Sequence, residues 1–142
     1  MTRSVLIVGG GRVGRHVAAD LADNQYHVTM IERDSAKIPQ LSGMVSTVIE
    51  GDGADRTVLA SADPASVDVV AALTNDTRVN LMVCELTEDM APGARTILRV
   101  SRDGEQAYGY RTCVDEIVYP AAAGAMAALE RITQPSSTTI PG

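Results

Sequence analysis

The sequence predicts an α/β fold: one doubly wound, parallel, six-stranded sheet with helices on both of its faces. Short runs rich in β-branched residues alternate with stretches in which apolar residues recur at helical spacing, which is typical of βαβ units. The runs at residues 5–8 and 69–73 are apolar at every position, as strands covered on both faces are.

Six strands are expected, at residues 4–8, 27–32, 45–50, 67–73, 95–100 and 114–119. Between the first two, residues 12–24 carry Val13, Val17 and Leu21 on one face of a helix. A proline at position 39 predicts that the second helix is short or broken.

Two more helices are expected nearer the carboxyl terminus, at residues 76–90 and 121–132. The last one is half alanine, with Met126, Leu129 and Ile132 on one side. Its small residues allow close helix approach, so packing on the sheet and packing on another subunit both stay open.

Length and charge limit the class of protein. The 142 residues predict one domain at 1–132, followed by a flexible Pro/Ser/Thr linker or tail at 133–142. The net charge of −6 argues against a nucleic-acid partner and against an anionic membrane surface. No apolar run is long enough for direct membrane insertion. Cys84 and Cys113 fit no close-spaced zinc pattern, so a reduced, cytoplasmic setting is expected.

The chemistry-bearing motif follows the first strand directly. Within residues 9–14, Gly9, Gly11 and Gly14 fit the G-x-G-x-x-G pattern of a Rossmann-like dinucleotide site. Glu32 ends the second strand, where an acid hydrogen-bonds an adenosine ribose. The alternative is a glycine turn beside a surface glutamate.

Two arginines bear on the ligand. Arg12 stands in the first helical turn, where it opposes the helix dipole unless phosphate neutralises it; the alternative is a side chain in solvent. Arg33 could suit a ribose 2′-phosphate, but the adjacent Glu32 would repel that group. The sequence therefore favours NAD over NADP.

Further candidates follow the third and fourth strands. Residues 51–53 include Asp52 and Gly53, where an adenine would lie, and residues 74–76 follow the strand expected beside the first. In the order 3-2-1-4-5-6, strands 1 and 4 flank the switch point where ligands bind. Asn80 could reach the same crevice. The alternatives are a turn at 51–53 in which Asp52 or Asp55 caps the next helix, and a helix cap at Asp76.

These segments together resemble the TrkA-N or RCK domain, the nucleotide-binding regulatory domain of Trk/Ktr potassium uptake systems. The resemblance covers about residues 3–131. It is carried by GGGRVG at 9–14, VTMIERD at 28–34, GDG at 51–53 through Leu59, AALTND at 71–76 with Asn80, Arg99-Val100, and DEIVYP at 115–120.

The resemblance implies a cytosolic gating subunit, without enzyme activity, that senses NAD(H) or ATP/ADP. It implies a homodimer or larger ring and a membrane-embedded potassium transporter subunit as partner. The subunit would be cytoplasmic and peripheral at the inner face of the plasma membrane.

The resemblance also implies roles for single residues. Arg12 would face phosphate, Glu32 would hold the adenosine ribose and Asp52 would lie beside adenine. Residues 74–76 would lie near distal phosphates or a second ribose, and Arg99 near the nucleotide edge or a subunit contact. The candidate cofactor-binding residues are Gly9, Gly11, Arg12, Val13, Gly14, Glu32, Arg33, Asp52, Gly53, Thr74, Asn75, Asp76 and Arg99.

The chain departs from the family pattern at several points. Ala121 replaces a glutamate that binds a divalent cation in many relatives, so no metal site is expected. Thr77 replaces an acid common after the Asn-Asp pair. Relatives usually continue into a smaller carboxyl-terminal domain, for which 142 residues leave no room.

The alternative functions are a small NAD-dependent oxidoreductase and an NADH-sensing redox regulator. A small NAD-dependent oxidoreductase needs a proton donor beside the nicotinamide. Lys37 is the only lysine, no Tyr-x-x-x-Lys pair exists, and His16 and His27 stand away from carboxyl strand ends. An NADH-sensing redox regulator that binds DNA conflicts with the acidic charge, and Cys84 lies on the apolar side of its helix.

Overall fold

The computed structural model describes residues 3–135. Six strands, five α-helices and three 3₁₀ turns follow one another along the chain. Their bounds are β1 Ser4–Val8, α1 Arg12–Asp23, β2 His27–Glu32, a turn at Ser35–Lys37, α2 Ile38–Ser42, β3 Thr47–Glu50, α3 Arg56–Ser61, a turn at Pro64–Ser66, β4 Val69–Ala72, α4 Thr77–Met90, β5 Arg95–Arg99, a turn at Glu105–Tyr110, β6 Glu116–Val118 and α5 Pro120–Thr133.

All six strands pair in parallel, in the order β3-β2-β1-β4-β5-β6, which confirms the predicted fold class and topology. Val5 on β1 is in register with both Val28 and Val69. The last four strands are one to three residues shorter than the sequence predicted. As Pro39 predicted, α2 is a short helix of five residues, preceded by a 3₁₀ turn.

Two hydrophobic clusters cover the two faces of the sheet, because alternate strand residues point to opposite sides. One cluster joins Leu6 and Val70 to Val83 and Cys84 of α4. The other joins Ile7 to Ala18 of α1, and Leu41 of α2 also belongs to it. Helices therefore lie on both faces, as a doubly wound sheet requires.

The alanine-rich helix α5 departs from this packing. It buries none of its residues within the part of the chain that the structure describes. Met126, Leu129 and Ile132 are 64%, 60% and 79% exposed. Packing on the sheet of the same chain, one of the two predicted alternatives, is therefore not what α5 does.

The predicted tail starts at Thr133, which is still the last residue of α5. The remainder of that tail from 136 onward lies outside the described residues. Between residues 3 and 135, no helix combines the length and apolarity needed to cross a membrane.

Substituting Gly14 tests the packing of α1 against the turn after β1. A Cβ at Gly14 would lie 1.9 Å from the carbonyl oxygen of Gly9, so Gly14→Ala should destabilise the fold by about 1–3 kcal/mol in urea unfolding. Gly124→Ala is the control, since its Cβ would meet nothing within 4 Å in α5 and should add about 0.5–1 kcal/mol. Equal unfolding midpoints for the two variants would contradict this packing.

Candidate functional site

One cavity of about 790 Å³ lies over the carboxyl ends of the central strands. It is lined by residues at or just after the carboxyl ends of β1, β2, β3, β4 and β5, so sequence-distant segments meet there. Of the predicted site residues, those that line it are Gly9, Gly11, Arg12, Val13, Glu32, Arg33, Asp52, Gly53, Thr74, Asn75, Asp76 and Arg99. Gly14 alone among them does not line it.

The glycines shape the base of the cavity. Gly9 has φ +108°, and a Cβ there would lie 2.8 Å from the backbone nitrogen of Thr74. Gly14 is buried and allows the first turn of α1 to rest on the carbonyl of Gly9. At Gly11 a Cβ would meet nothing within 4 Å, so the space over the start of α1 stays open.

Glu32 stands inside the cavity wall, with only 7% of its surface exposed. Its Oε1 accepts a hydrogen bond from the Gly10 N–H at 2.6 Å, and its Oε2 accepts one from the Asp34 N–H at 2.7 Å. A carboxylate has about four acceptor sites, so two remain for hydroxyl groups. Glu32 therefore both fixes the glycine turn and keeps capacity for a diol.

The other acids around the cavity also accept backbone hydrogen bonds. Asp52 accepts from the N–H of Ala54 at 2.9 Å, and Asp34 from that of Ala36 at 3.0 Å. Asp76 caps α4 by accepting from the N–H of Arg78 at 2.9 Å, as the helix-cap alternative states, and it also lines the cavity. The charge of each carboxylate is therefore partly offset by N–H dipoles.

The cationic side chains of the cavity, unlike its acids, mostly lack hydrogen-bond partners. Within residues 3–135, the side chains of Arg12, Arg33 and Lys37 make no hydrogen bond or ion pair. Arg99 donates from Nη1 to the carbonyl of Leu73 at 3.3 Å, while its Nε is buried without a hydrogen-bond partner. The cavity thus presents unpaired positive charge beside acids that are already hydrogen-bonded.

The N-terminus of α1 strengthens this positive character. Gly11 is the N-cap residue and has no side chain to accept from the first N–H groups. The helices α3 and α4, in contrast, are capped by Asp55 and Asp76. Open N–H groups and the helix dipole favour an anion at the start of α1.

Asn80 was expected to reach the crevice, and the structure corrects this. Its side chain is fully buried and does not line the cavity. Its Oδ1 accepts from the N–H and hydroxyl of Thr74, at 3.0 and 2.6 Å. Its Nδ2 donates to the carbonyls of Thr74 and Arg99, at 2.9 and 3.0 Å. Asn80 therefore ties together two cavity-lining strand ends.

Sequence reasoning missed part of the lining. Lys37 and Asp34 lie on the short turn after β2, whose conformation brings them back over the cavity. The apolar walls are residues at or next to the carboxyl ends of buried strands and one residue of α4: Val8, Ile31, Leu73 and Val79. Their position at carboxyl strand ends was the available signal. In residues 3–135, no group of three His, Cys, Asp or Glu side chains could hold a metal ion.

A parallel sheet in this order, with a glycine turn, an uncapped helix start and an acid at the end of β2, defines a Rossmann-type domain. The family model of the TrkA-N domain matches residues 5–120. The chain belongs to the TrkA-N family.

A relative in Pyrococcus abyssi, the Trk system potassium uptake protein TrkA homolog, is 36% identical over 103 residues. The alignment covers 72% of this chain and 45% of that relative. The chain thus spans about half the length of that curated relative.

Solved structures share the fold. The TrkA-N domain of an inner membrane protein from Escherichia coli has a TM-score of 0.83 at 19% identity, covering 93% of this chain and 98% of that one. The GsuK channel bound to NAD has a TM-score of 0.70 at 17% identity, covering 83% and 21%. The Shewanella denitrificans Kef C-terminal domain in its AMP-bound form has a TM-score of 0.69 at 20% identity, covering 96% and 86%.

Removing the Asn80 amide tests its role as the tie between the ends of β4 and β5. Asn80→Ala leaves the buried N–H of Thr74 and the Arg99 carbonyl without this partner, so the free energy of unfolding should fall by about 2–3 kcal/mol. Asn75→Ala is the control, because this exposed side chain makes no hydrogen bond in the described chain, and should change stability by less than about 0.5 kcal/mol. If both variants lost a similar, small amount of unfolding free energy in urea, Asn80 would not link the two strand ends.

Proposed function

We propose that the chain is a nucleotide-binding regulatory domain of a potassium uptake system, with no catalytic step of its own. Its ligand is an adenine nucleotide, NAD(H) or ATP/ADP, bound across the carboxyl ends of β1 and β4. The observation that carries this proposal is the set of unpaired cations around the 790 Å³ cavity at the uncapped start of α1. A phosphate group supplies the negative charge that these groups lack.

The residues present fit such a ligand. The open space at Gly11 allows a pyrophosphate to approach the backbone of α1 closely. Arg12, the first residue of α1, would pair with that phosphate, and the remaining acceptor sites of Glu32 would take the ribose hydroxyls. Asp52 and Gly53 would border the adenine, and residues 74–76 with Arg99 would border the distal phosphates or second ribose.

The names of similar proteins support the two halves of the proposal. Structures of the same fold include a channel bound to NAD and a domain in an AMP-bound form, and both ligands contain adenosine and phosphate. The relatives matched by sequence are Trk system potassium uptake proteins. We propose on this basis that the partner is a membrane-embedded potassium transporter subunit and that the domain works at the cytoplasmic face of the membrane.

The oxidoreductase alternative finds little support in the cavity. Neither His16 nor His27 lines it. Lys37 does line it, but on the turn directly after β2, beside the acid expected to hold adenosine ribose rather than beside a nicotinamide. A proton donor for hydride chemistry is therefore not evident among the lining residues.

The redox-regulator alternative is also disfavoured. Cys84 is completely buried, and burial raises the pKa of its thiol to about 12. Burial likewise raises the pKa of the Cys113 thiol. At neutral pH both groups stay protonated, and the protonated thiol is the unreactive form.

Arg12 provides the sharpest test of the phosphate site. We expect Arg12→Gln to weaken NAD or ADP binding by about tenfold or more in calorimetric titration, because a charge-assisted hydrogen bond is lost. Arg78→Gln is the matched control, since Arg78 also stands in the first turn of a helix but does not line the cavity. Equal affinities for the two variants would remove Arg12 from the site.

The same titration with NAD, NADH, NADP, ATP and ADP identifies the ligand class. Glu32→Ala should weaken the binding of NAD, NADH, ATP and ADP, whose adenosine ribose carries a free diol. With Glu32 present, NADP should bind more weakly than NAD, because the carboxylate repels a 2′-phosphate. If none of the five binds to the unaltered chain, the nucleotide-binding proposal is wrong.

For the dimer that the family resemblance implies, the surface we propose is the exposed side of α5; Met82 of α4, which is 43% exposed, is a second candidate. Met126, Leu129 and Ile132 recur at three-residue spacing and form one apolar stripe on α5. The occupant we propose for the stripe is a second copy of this chain, which would bury the same stripe in a two-fold contact.

A charge placed in the α5 stripe tests the dimer. Leu129→Glu should shift the chain to a monomer in sedimentation velocity at micromolar concentration, since an unpaired buried charge is costly. Arg131→Glu, on the opposite side of the same helix, is the control and should leave the dimer intact. A monomeric unaltered chain, with and without nucleotide, would refute the assignment.

A further inference from the structure

The segment at residues 101–105, which follows β5 and includes the first residue of the Glu105–Tyr110 turn, contacts the cavity wall through Ser101 and Glu105. The hydroxyl of Ser101 donates to the carbonyl of Asn75 at 2.9 Å. The hydroxyl of Thr77, the first residue of α4, accepts from the Ser101 N–H at 3.1 Å. Both contacts reach the segment that carries Asn75 and Asp76 into the cavity.

Glu105 fixes the contact between the segment and the cavity wall. Its Oε1 accepts from the hydroxyl of Thr77 at 2.6 Å and from the N–H groups of Ser101 and Arg102, at 3.0 and 2.9 Å. Thr77 is buried, so its hydroxyl depends on this carboxylate. The hydrogen bond from Thr77 is the main reason that the pKa of Glu105 lies below its usual range. The carboxylate therefore stays charged, and an acceptor, at neutral pH.

The middle residue of the segment, Asp103, contacts the start of α5. The hydroxyl of Tyr119 donates to Oδ1 of Asp103 at 2.7 Å. Tyr119 is the N-cap residue of α5 and directly precedes Pro120. This hydrogen bond raises the pKa of Tyr119, so the phenol remains a donor. Next to Asp103, Gly104 has φ +88°, which allows the chain to turn between the two contacts.

We propose that residues 101–105 form a coupling loop, which links the position of the Asn75–Thr77 wall of the cavity to the position of the first turn of α5. Thr77 and Glu105 are the positioning residues at the cavity end, and Asp103 and Tyr119 are those at the helix end. The regulatory meaning of the link rests on the proposed function, because a nucleotide beside Asn75 and Asp76 would act through it on the helix that bears the exposed stripe. Only a ligand that favours one position of the wall over another can shift that helix.

Hydrogen exchange of the full chain, without nucleotide, tests the link itself. Tyr119→Phe keeps the half-buried ring and removes only the hydroxyl. We expect amide exchange to rise by about fivefold in residues 101–105 and also in residues 75–78 at the far end of the loop. Tyr110→Phe is the matched control, because Tyr110 is 93% exposed and its hydroxyl makes no hydrogen bond in residues 3–135, and it should change neither segment.

The reciprocal variant starts from the cavity end. Thr77→Val keeps the shape of the side chain and removes the donor to Glu105, so exchange at residues 119–123 should rise by a similar factor. A purely local role for each contact predicts faster exchange only at the altered end. Faster exchange confined to that end, in both variants, would overturn the coupling loop.

A last arm adds saturating NAD and, separately, ADP to the unaltered chain. Binding should slow exchange at residues 119–123, and Tyr119→Phe should abolish this slowing while the nucleotide Kd stays within about twofold. If the slowing survives in Tyr119→Phe, the coupling loop is wrong although the proposed function stands. If neither nucleotide binds, the proposed function fails, and the exchange measured without nucleotide still decides the link.

Discussion

The close approach of two turns, those after β1 and after β4, is the constraint on which the site depends. At this point a side chain on Gly9 would lie 2.8 Å from the backbone of Thr74, so only glycine lets the turns touch. β1 and β4 are parallel neighbours, and the connections that follow them lead to opposite faces of the sheet. The two connections therefore diverge here and leave a crevice between them. Gly14 then brings α1 down onto the same turn, which places the open helix start at the floor of the cavity.

A chain with net charge −6 can still offer a site for an anion, because the charges that are unpaired at the site matter more than the net charge of the chain. Glu32 and Asp76 direct their oxygens at backbone N–H groups and so serve the turn and helix that hold them. Arg12 has no such partner in the described chain, and its charge adds to the dipole of α1 instead of offsetting it. The arrangement is unfavourable in an isolated helix and becomes favourable when a phosphate is bound.

The sequence was sufficient for the topology and for most of the lining of the cavity, because both follow local rules. Apolar runs mark buried strands, and residues just after parallel strands meet at one edge of the sheet. Asn80 was misplaced because its partners at Arg99 lie 19 positions away, and nothing local shows that its amide faces the interior. The ends of the strands were predicted too far out for a related reason: Leu73 is as apolar as its neighbours, although the strand ends at Ala72.

Long-range polar contacts could not be predicted from the sequence either, because no local pattern marks their partners. These contacts decide how the cavity connects to the remainder of the fold. The hydroxyl of Thr77, the first residue of α4, donates to the carboxylate of Glu105, 28 positions later in the chain. Beside the Asp76 cap, a second negative charge near the start of α4 thus comes from the segment that also holds Tyr119. A carboxylate on α4 itself would stabilise that helix alone, whereas one supplied from residue 105 makes the helix start and the loop depend on each other.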